Sequence, residues 1–172
     1  MVGLYSLILI LFTTLLSACG KSQPGTETGN ISSDADLLTA ANLGKQLVLP
    51  TDDYLQLPQY RNADLARGER LVMQCRACHS FEQGGQNIIG PNLHGFFGRR
   101  VAAIVGYPYS PAMSQADFIW TPQALDAWLA EPTAFLPGNR MVYGGLRSAE
   151  DRHAAVAALL RLTTNSPASA ED

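Results

Sequence analysis

Apolar residues recur with the spacing of an amphipathic helix in three separate stretches of the chain. The first covers residues 65–75 and follows Asp64, a residue type that caps helix N-termini. The second begins after Thr121, with a proline at its first position, and the third begins after Ser148. The apolar stripes of the second and third helices consist of Leu125, Trp128 and Leu129, and of Val156, Leu159, Leu160 and Thr163.

The stretches between these helices have the composition of loops. Residues 80–115 and 132–145 are rich in glycine, proline and asparagine and hold only short apolar runs, so we expect loops, with a turn or two of helix in the first stretch. The pattern therefore predicts an all-α domain over residues 64–164, followed by a disordered tail over residues 165–172. Three helices joined by long loops make a thin core, which a bound apolar cofactor would fill.

The first 18 residues have the pattern of an export signal. Residues 2–16 are almost continuously apolar, a run shorter than the roughly 20 residues of a membrane-spanning helix and suited to a signal peptide. Residues 16–19, Leu-Ser-Ala-Cys, resemble the cleavage box of bacterial lipoproteins. We therefore expect Cys19 to be lipidated, and the protein to be exported and anchored to a membrane with its domain in the periplasm. An uncleaved signal anchor, with Cys19 as a bystander, is the alternative.

Residues 19–63 are predicted to form a flexible tether between the signal and the domain. Residues 21–33 are polar and rich in serine, glycine and threonine, which disfavours a packed core. Residues 37–50 are apolar enough to form a short helix or to pack on the domain, and residues 52–60 have an irregular pattern. A tether of this length would let the domain move across a membrane surface.

Candidate chemistry is concentrated in Cys75–His79, whose sequence is Cys-Arg-Ala-Cys-His. Cysteines three positions apart lie about one helical turn from each other, so both sulfurs can bond to the vinyl groups of one haem while the histidine binds its iron. The spacing is the attachment signature of a c-type haem. A thioredoxin-like pair would need a βαβ context, and a zinc site would need a second pair of ligands.

Separate stretches of residues 63–164 also resemble class I cytochrome c, in particular its mitochondrial-like branch. These stretches are Cys75–His79, Gly90–Arg99, Trp120, Phe135–Met141 and Tyr143–Gly145. The resemblance implies the class I cytochrome c fold, with about three main helices and long loops around one covalently bound haem c. It also implies that the haem iron lies between His79 and a methionine.

Two of the four methionines remain as candidates for that second ligand. One of the others is in the leader and one directly precedes the haem motif, which leaves Met113 and Met141. Met141 follows a Pro-Gly pair that suits a constrained loop, whereas Met113 lies in a proline-rich stretch without such a frame. The family motif also selects Met141. Trp128 stands where relatives often have a tyrosine near the methionine sulfur, and it can donate only its indole N–H.

The resemblance implies roles for five further residues. Pro91 matches the residue whose carbonyl accepts the ring N–H of the histidine ligand, and Tyr143 matches an aromatic residue at the exposed haem edge. Arg99, Tyr109 and Trp120 match groups that neutralise or hydrogen-bond the haem propionates, which would otherwise be costly to bury. Plain packing is the alternative for these three residues, for Tyr109 above all.

The chain also departs from the family pattern. Gly68 keeps the glycine of the first helix, but Val72 and Ala158 stand where relatives have aromatic residues, so we expect a smaller contact between the terminal helices. Relatives dock through a ring of lysines, and residues 64–164 contain none. In relatives a lysine near the methionine loop replaces the methionine at high pH, whereas here Arg140 occupies the neighbouring position.

The expected function is one-electron transfer rather than catalysis, because iron with a histidine and a methionine ligand has no free position for a substrate. The first hypothesis is a monomeric, membrane-tethered monohaem carrier between respiratory or photosynthetic complexes, from a quinol-oxidising complex to a terminal oxidase. A fixed cytochrome subunit of a dehydrogenase or oxidase is the alternative. A haem sensor or peroxidase would need open iron, which Met141 opposes. The net charge of −3 gives no support for nucleic-acid binding.

Overall fold

Seven α-helices make up most of the regular structure in residues 37–164, the part of the chain that the computed structural model describes. They are α1 (Thr51–Gln56), α2 (Pro58–Arg61), α3 (Leu65–Val72), α4 (Pro111–Gln115), α5 (Pro122–Ala130), α6 (Pro132–Phe135) and α7 (Ala149–Leu162). These described residues contain no β-strand, so the predicted all-α class is confirmed. The predicted signal peptide with Cys19, residues 19–36 of the predicted tether and the predicted tail lie outside the described residues.

Each of the three predicted helix starts has a side-chain cap. Asp64 accepts a hydrogen bond from the Arg67 amide at 2.9 Å. Thr121 and Ser148 accept hydrogen bonds from the amides three positions further on, both at 3.2 Å. These caps satisfy amides that have no partner within the first helical turn. The first helix ends earlier than predicted, because the chain tightens into a 3-10 helix over Met73–Ala77 that contains the first cysteine of the haem motif.

The loops between the main helices contain two short helices. α4 lies in the stretch where a turn or two of helix is predicted, whereas α6 lies in a stretch that is predicted to be loop. α6 has only four residues and starts with a proline at its first position, so its sequence has no helical period to detect. Within residues 37–164, no helix has both the length and the apolarity that crossing a membrane requires.

The terminal helices α3 and α7 approach closely at Gly68. A Cβ at this position would overlap the backbone carbonyl of Ala154, so glycine is required for the contact. Val72 and Ala158, which replace the aromatic residues of relatives, are both almost fully buried. The two helices therefore pack closely through small side chains.

The core combines the buried length of α7 with a group of aromatic rings. All residues from 154 to 160 are buried, which is more of the helix than the predicted stripe. Trp128 lies edge-to-face against Trp120 and Phe135, with ring centroids 5.5 and 5.8 Å apart. Phe118 meets Phe135 in the same way at 5.4 Å. These rings connect α5 with the loop before it and with α6.

Residues 37–63, which we name the N-terminal strap, pack on the domain. Leu43, Tyr54 and Tyr60 of the strap belong to the buried core, and α1 and α2 both contact α7. The Tyr60 ring meets His153 edge-to-face at a centroid distance of 5.9 Å. The alternative that residues 37–50 pack on the domain therefore agrees with the structure, whereas the predicted flexible tether is wrong over residues 51–63, whose buried tyrosines remove apolar surface from water.

Candidate haem site

Cys75 of the Cys-x-x-Cys-His motif lies in the 3-10 helix that follows α3, and Cys78 and His79 directly follow that helix. The amides of Cys78 and His79 both donate to the Cys75 carbonyl, at 3.1 and 2.9 Å. Both cysteines are free and half-buried. Burial raises the pKa of the Cys75 thiol to about 11. The sulfur is therefore uncharged at neutral pH, in surroundings that suit an uncharged thioether.

The ring of His79 is oriented by Pro91. The Nδ1 atom of the ring lies 2.6 Å from the Pro91 carbonyl oxygen. Because a carbonyl oxygen can only accept, Nδ1 carries the proton and Nε2 keeps a free lone pair. Burial lowers the pKa of His79, and the hydrogen bond to Pro91 acts in the opposite direction. The imidazole is therefore neutral near pH 7 and presents Nε2 as a possible metal ligand.

Gly90 lies directly against the same imidazole. A Cβ on Gly90 would overlap ring atoms of His79, and the Gly90 amide donates to the Cys78 carbonyl at 2.8 Å. Because Gly90 has no side chain, its backbone can lie against the His79 ring. The Nδ1 atom of that ring is hydrogen-bonded to Pro91, the residue that follows Gly90. Sequence reasoning placed Gly90 in a family-like stretch but gave it no role, because the close approach becomes visible only in three dimensions.

The loop between α6 and α7 carries Met141 and is held by Asn139. The Asn139 side-chain amide donates to the carbonyls of Pro132 and Leu136, at 2.8 and 2.9 Å. Its oxygen accepts a hydrogen bond from the Met141 amide at 2.9 Å. Gly138 has a φ of +83°, a conformation that favours glycine. The loop is thus constrained on both sides of the turn, and Asn139 is a second residue that sequence reasoning missed.

The Met141 sulfur has a direct polar contact. The indole N–H of Trp128 donates to this sulfur at a distance of 3.3 Å. Trp128 is buried on α5, so its ring is fixed by packing. The other candidate methionine, Met113, lies on α4, where its amide donates to the Ser110 hydroxyl at 3.2 Å. The structure therefore places both residues of the predicted Trp128–Met141 pair in contact.

Arg99, Tyr109 and Trp120 also lie near one another. The Trp120 amide donates to the Arg99 carbonyl at 2.9 Å. Burial raises the pKa of Tyr109, and the nearby Arg99 guanidinium opposes this shift. One N–H of Arg99 donates to the His94 carbonyl at 2.6 Å. Since a guanidinium has five N–H donors, this bond leaves donors for an acidic group.

Tyr143 connects the methionine loop to the haem motif. Its hydroxyl accepts a hydrogen bond from the Gln74 side chain at 3.2 Å. Burial raises the pKa of Tyr143, and the nearby Cys75 sulfur adds to the shift. The neighbouring Val142 side chain is fully exposed, at 102% of its reference area. An apolar side chain therefore projects into solvent beside the candidate site.

No family model matches the chain, but several known proteins are similar to it. The cytochromes c of Gibberella zeae and Chlamydomonas reinhardtii are 38% and 41% identical to it over 97 and 101 residues. These stretches cover 56% and 58% of this chain, and 92% and 90% of the relatives. A cytochrome c2 of Agrobacterium tumefaciens is 36% identical over 108 residues, which cover 61% of this chain and 97% of the relative. The chain belongs to the cytochrome c family.

As a cytochrome c, the protein has the class I cytochrome c fold and carries single electrons on one covalently bound haem c, with a histidine and a methionine on the iron. The described residues fit this cofactor. The half-buried cysteine pair suits two thioethers, the neutral His79 leaves Nε2 unprotonated, and the Met141 sulfur is held at one side by an N–H donor. A cytochrome c needs these groups, and the structure contains all of them in one domain.

Proposed function

We propose that Cys75 and Cys78 bind the haem through thioether bonds and that Nε2 of His79 binds its iron. The observation that carries this assignment is the 2.6 Å distance between Nδ1 of His79 and the Pro91 carbonyl oxygen. It fixes the tautomer and leaves Nε2 as the ring nitrogen with a free lone pair. The close packing of Gly90 against the ring supports the same orientation.

The second iron ligand in this proposal is the sulfur of Met141. Three hydrogen bonds of Asn139 stiffen the methionine loop, and the Trp128 indole holds the sulfur from one side. A thioether ligand favours ferrous iron and raises the reduction potential. With His79 and Met141 holding the iron, the haem would supply one-electron transfer and would leave no position for a substrate.

The haem propionates are assigned to Arg99, Tyr109 and Trp120. A buried carboxylate needs a charged or hydrogen-bonding partner, and these three residues supply a guanidinium, a phenol and an indole N–H within one region of the domain. Tyr143 would then cover the haem edge on the side of the methionine loop, where its hydroxyl is bonded to Gln74. The exposed Val142 beside it would lie where a redox partner docks.

The haem domain in this proposal comprises residues 37–164, because the strap is part of its core. The signal over residues 1–18 and lipidation at Cys19, supported by the Leu-Ser-Ala-Cys sequence, would hold the domain at a membrane in the bacterial periplasm. Residues 19–36 would form the tether. The protein would then carry electrons between membrane complexes, from a quinol-oxidising complex to a terminal oxidase.

Replacement of the two candidate methionines tests the ligand assignment. Met141→Ala should give ferrous haem that is high-spin or binds carbon monoxide, with a lower reduction potential and no methionine–iron charge-transfer band. Met113→Ala is the matched control and should keep both the band and the potential, because the hydrogen bonds that hold Asn139 and Met141 do not involve Met113. Loss of the band in the Met113 variant, with retention in the Met141 variant, would refute the assignment.

A further inference from the structure

The backbone N–H and C=O groups of Ile119 take no part in the hydrogen bonds that pair its segment with residues 98–101. Residues 98–101 and 118–120 run antiparallel around a single bridge between Arg100 and Ile119. Hydrogen bonds at 2.9 Å join Trp120 N–H to the Arg99 carbonyl, and Val101 N–H to the Phe118 carbonyl. Neighbouring residues of an extended chain point their N–H and C=O groups in opposite directions. The N–H and C=O of Ile119 therefore point away from this pairing and need other partners.

The side chain of Gln46, in the strap, contacts both groups, and the Thr121 amide also donates to the Ile119 carbonyl, at 2.8 Å. The Gln46 amide N–H donates to the Ile119 carbonyl at 2.5 Å, and its side-chain oxygen accepts from the Ile119 amide at 2.8 Å. The same amide nitrogen lies 3.3 Å from the hydroxyl oxygen of Thr121, the buried cap of α5. One carboxamide thus contacts the residues on both sides of Trp120, through the backbone of Ile119 and the hydroxyl of Thr121. The strap lies outside the stretch of the chain that resembles cytochrome c.

The strap backbone next to Gln46 is held in place by the Tyr54 side chain. The Tyr54 hydroxyl donates to the Leu47 carbonyl at 2.8 Å and accepts from the Leu49 amide at 2.9 Å. Tyr54 is only 5% exposed, so its hydroxyl has a fixed place in the core. The strap segment after Gln46 is therefore anchored, which keeps the carboxamide directed at Ile119.

Ring contacts connect this clamp to the proposed methionine ligand. The Trp120 ring lies edge-to-face against Trp128, with centroids 5.5 Å apart. The Trp128 indole in turn donates to the Met141 sulfur at 3.3 Å. A displacement of residues 119–121 would therefore move Trp120, and with it the ring that holds the sulfur.

We propose that Gln46 is a positioning residue that sets the reduction potential of the haem, by fixing the backbone of residues 119–121 and thereby the Trp120–Trp128–Met141 contacts. The inference rests on the proposed assignment of Met141 as an iron ligand. The strap would then help to set the reduction potential of the haem, in addition to contributing residues to the core. A loosened clamp would weaken the hold on the methionine sulfur and admit water, and both effects favour ferric iron.

Gln46→Leu in the full-length holoprotein tests the inference, with Gln56→Leu as the matched control. Gln56 is an exposed residue of α1. Hydrogen exchange of the Ile119 amide should become at least about tenfold faster in the Gln46 variant, since its only described acceptor is lost. The reduction potential should fall, and the NMR resonance of the Trp128 indole proton should shift. The Gln56 variant should change none of the three quantities.

Gln46→Glu keeps an acceptor for the Ile119 amide but removes the side-chain donor to its carbonyl, so it should give smaller changes in the same direction. This milder variant decides the question if the leucine variant fails to fold. An unchanged potential and indole resonance, in a variant whose Ile119 exchange is faster, would overturn the inference and make Gln46 purely structural. Unchanged exchange would overturn the clamp itself. Neither result depends on the Met141→Ala spectrum, which tests the ligand assignment separately.

Discussion

His79 is held between the Pro91 carbonyl, which fixes its tautomer, and the backbone of Gly90, which leaves no room for a Cβ. The three residues act together because a ligand nitrogen is useful only if the ring cannot rotate away from the iron. Pro91 acts through its carbonyl, and Gly90 acts through the absence of a side chain. Neither effect can be predicted from the pattern of charged and apolar residues along the sequence.

Gly90→Ala should therefore displace the imidazole. Overpacking of this kind costs roughly 1–3 kcal/mol, so we expect a lower urea midpoint of the holoprotein and a smaller haem-to-protein absorbance ratio. Gly144→Ala is the control, since nothing lies within 4 Å of a Cβ at that position and its φ is not positive. Equal losses in the two variants would show that the contact with the imidazole is unimportant.

Arg140 changes the expected behaviour at high pH. Its guanidinium, which donates to the Pro108 carbonyl at 3.4 Å, has only N–H donors and cannot replace Met141 on the iron. Of the two lysines, Lys45 is exposed on the strap and Lys21 lies outside the described residues. We expect a Lys21→Arg/Lys45→Arg variant to lose the methionine–iron band at the same pH as the wild type, with hydroxide or His94 as the new ligand. A large shift of that pH would identify a lysine ligand.

Tyr60 limits the pH range of this titration. Burial raises its pKa from the ordinary value of 10 to about 12. Above pH 10 an unfolded chain would ionise this phenol while the native chain keeps it neutral, so the stability that burial supplies below pH 10 is lost as the pH rises toward 12. Loss of the band below pH 10 is therefore free of this destabilisation, whereas above pH 10 the falling stability adds to ligand exchange.

At the scale of secondary-structure elements, the sequence predicts the features that depend on residues close together in the chain. Asp64, Thr121 and Ser148 are capping residues whose partners lie three positions away, so the starts of α3, α5 and α7 are predictable. The haem motif is equally local, because its two cysteines and histidine occupy five consecutive positions.

The strap shows why features that depend on residues far apart in the sequence are not predictable in this way. The Gln46–Ile119 contact joins residues 73 positions apart, and no local pattern records such a partner. α1 and α2 are six and four residues long, too short to reveal a helical period. The proline that begins α2 and a polar stretch upstream of α1 favour a linker on composition alone. Burial of Tyr54 and Tyr60 against the domain overrides that composition.

At the scale of the whole molecule, the domain has little net charge with which to attract a partner. Residues 64–164 hold nine arginines and eight acidic residues, which leaves +1 before the haem propionates are counted. Surface charges are screened over about 8 Å at physiological ionic strength. The exposed Val142 and Ile89 instead offer apolar contact.

Electron transfer to partner-containing membranes should therefore slow only gently as potassium chloride is added. Val142→Ser should lower the transfer rate at every salt concentration while leaving the reduction potential unchanged, because it removes apolar contact at the proposed haem edge without touching a ligand. The measurement is stopped-flow oxidation of the reduced protein. A steep decline with salt would instead indicate docking through charges.

Anchoring is a second property of the whole molecule, and Cys19 controls it in our proposal. The wild-type protein should fractionate with membranes, and its intact mass should correspond to a chain that starts at Cys19 and carries acyl groups. Cys19→Ser should remove the acyl mass while leaving the haem spectrum unchanged. A wild-type chain that retains Met1, or one processed at another residue, would contradict the lipoprotein hypothesis.

The strap also determines how far the chain can be shortened from its N-terminus without exposing the core. A fragment that begins at residue 64 would match the relatives in length, yet it would uncover the apolar surface beneath Tyr54 and Tyr60. It would also remove the acceptor of the Ile119 N–H, and unpaired extended backbone is a template for pairing with another molecule. Such a fragment would tend to self-associate. A fragment for crystallisation or for electrode work should therefore include Ala40, whose amide donates to the Phe135 carbonyl at 2.9 Å, and all strap residues after it.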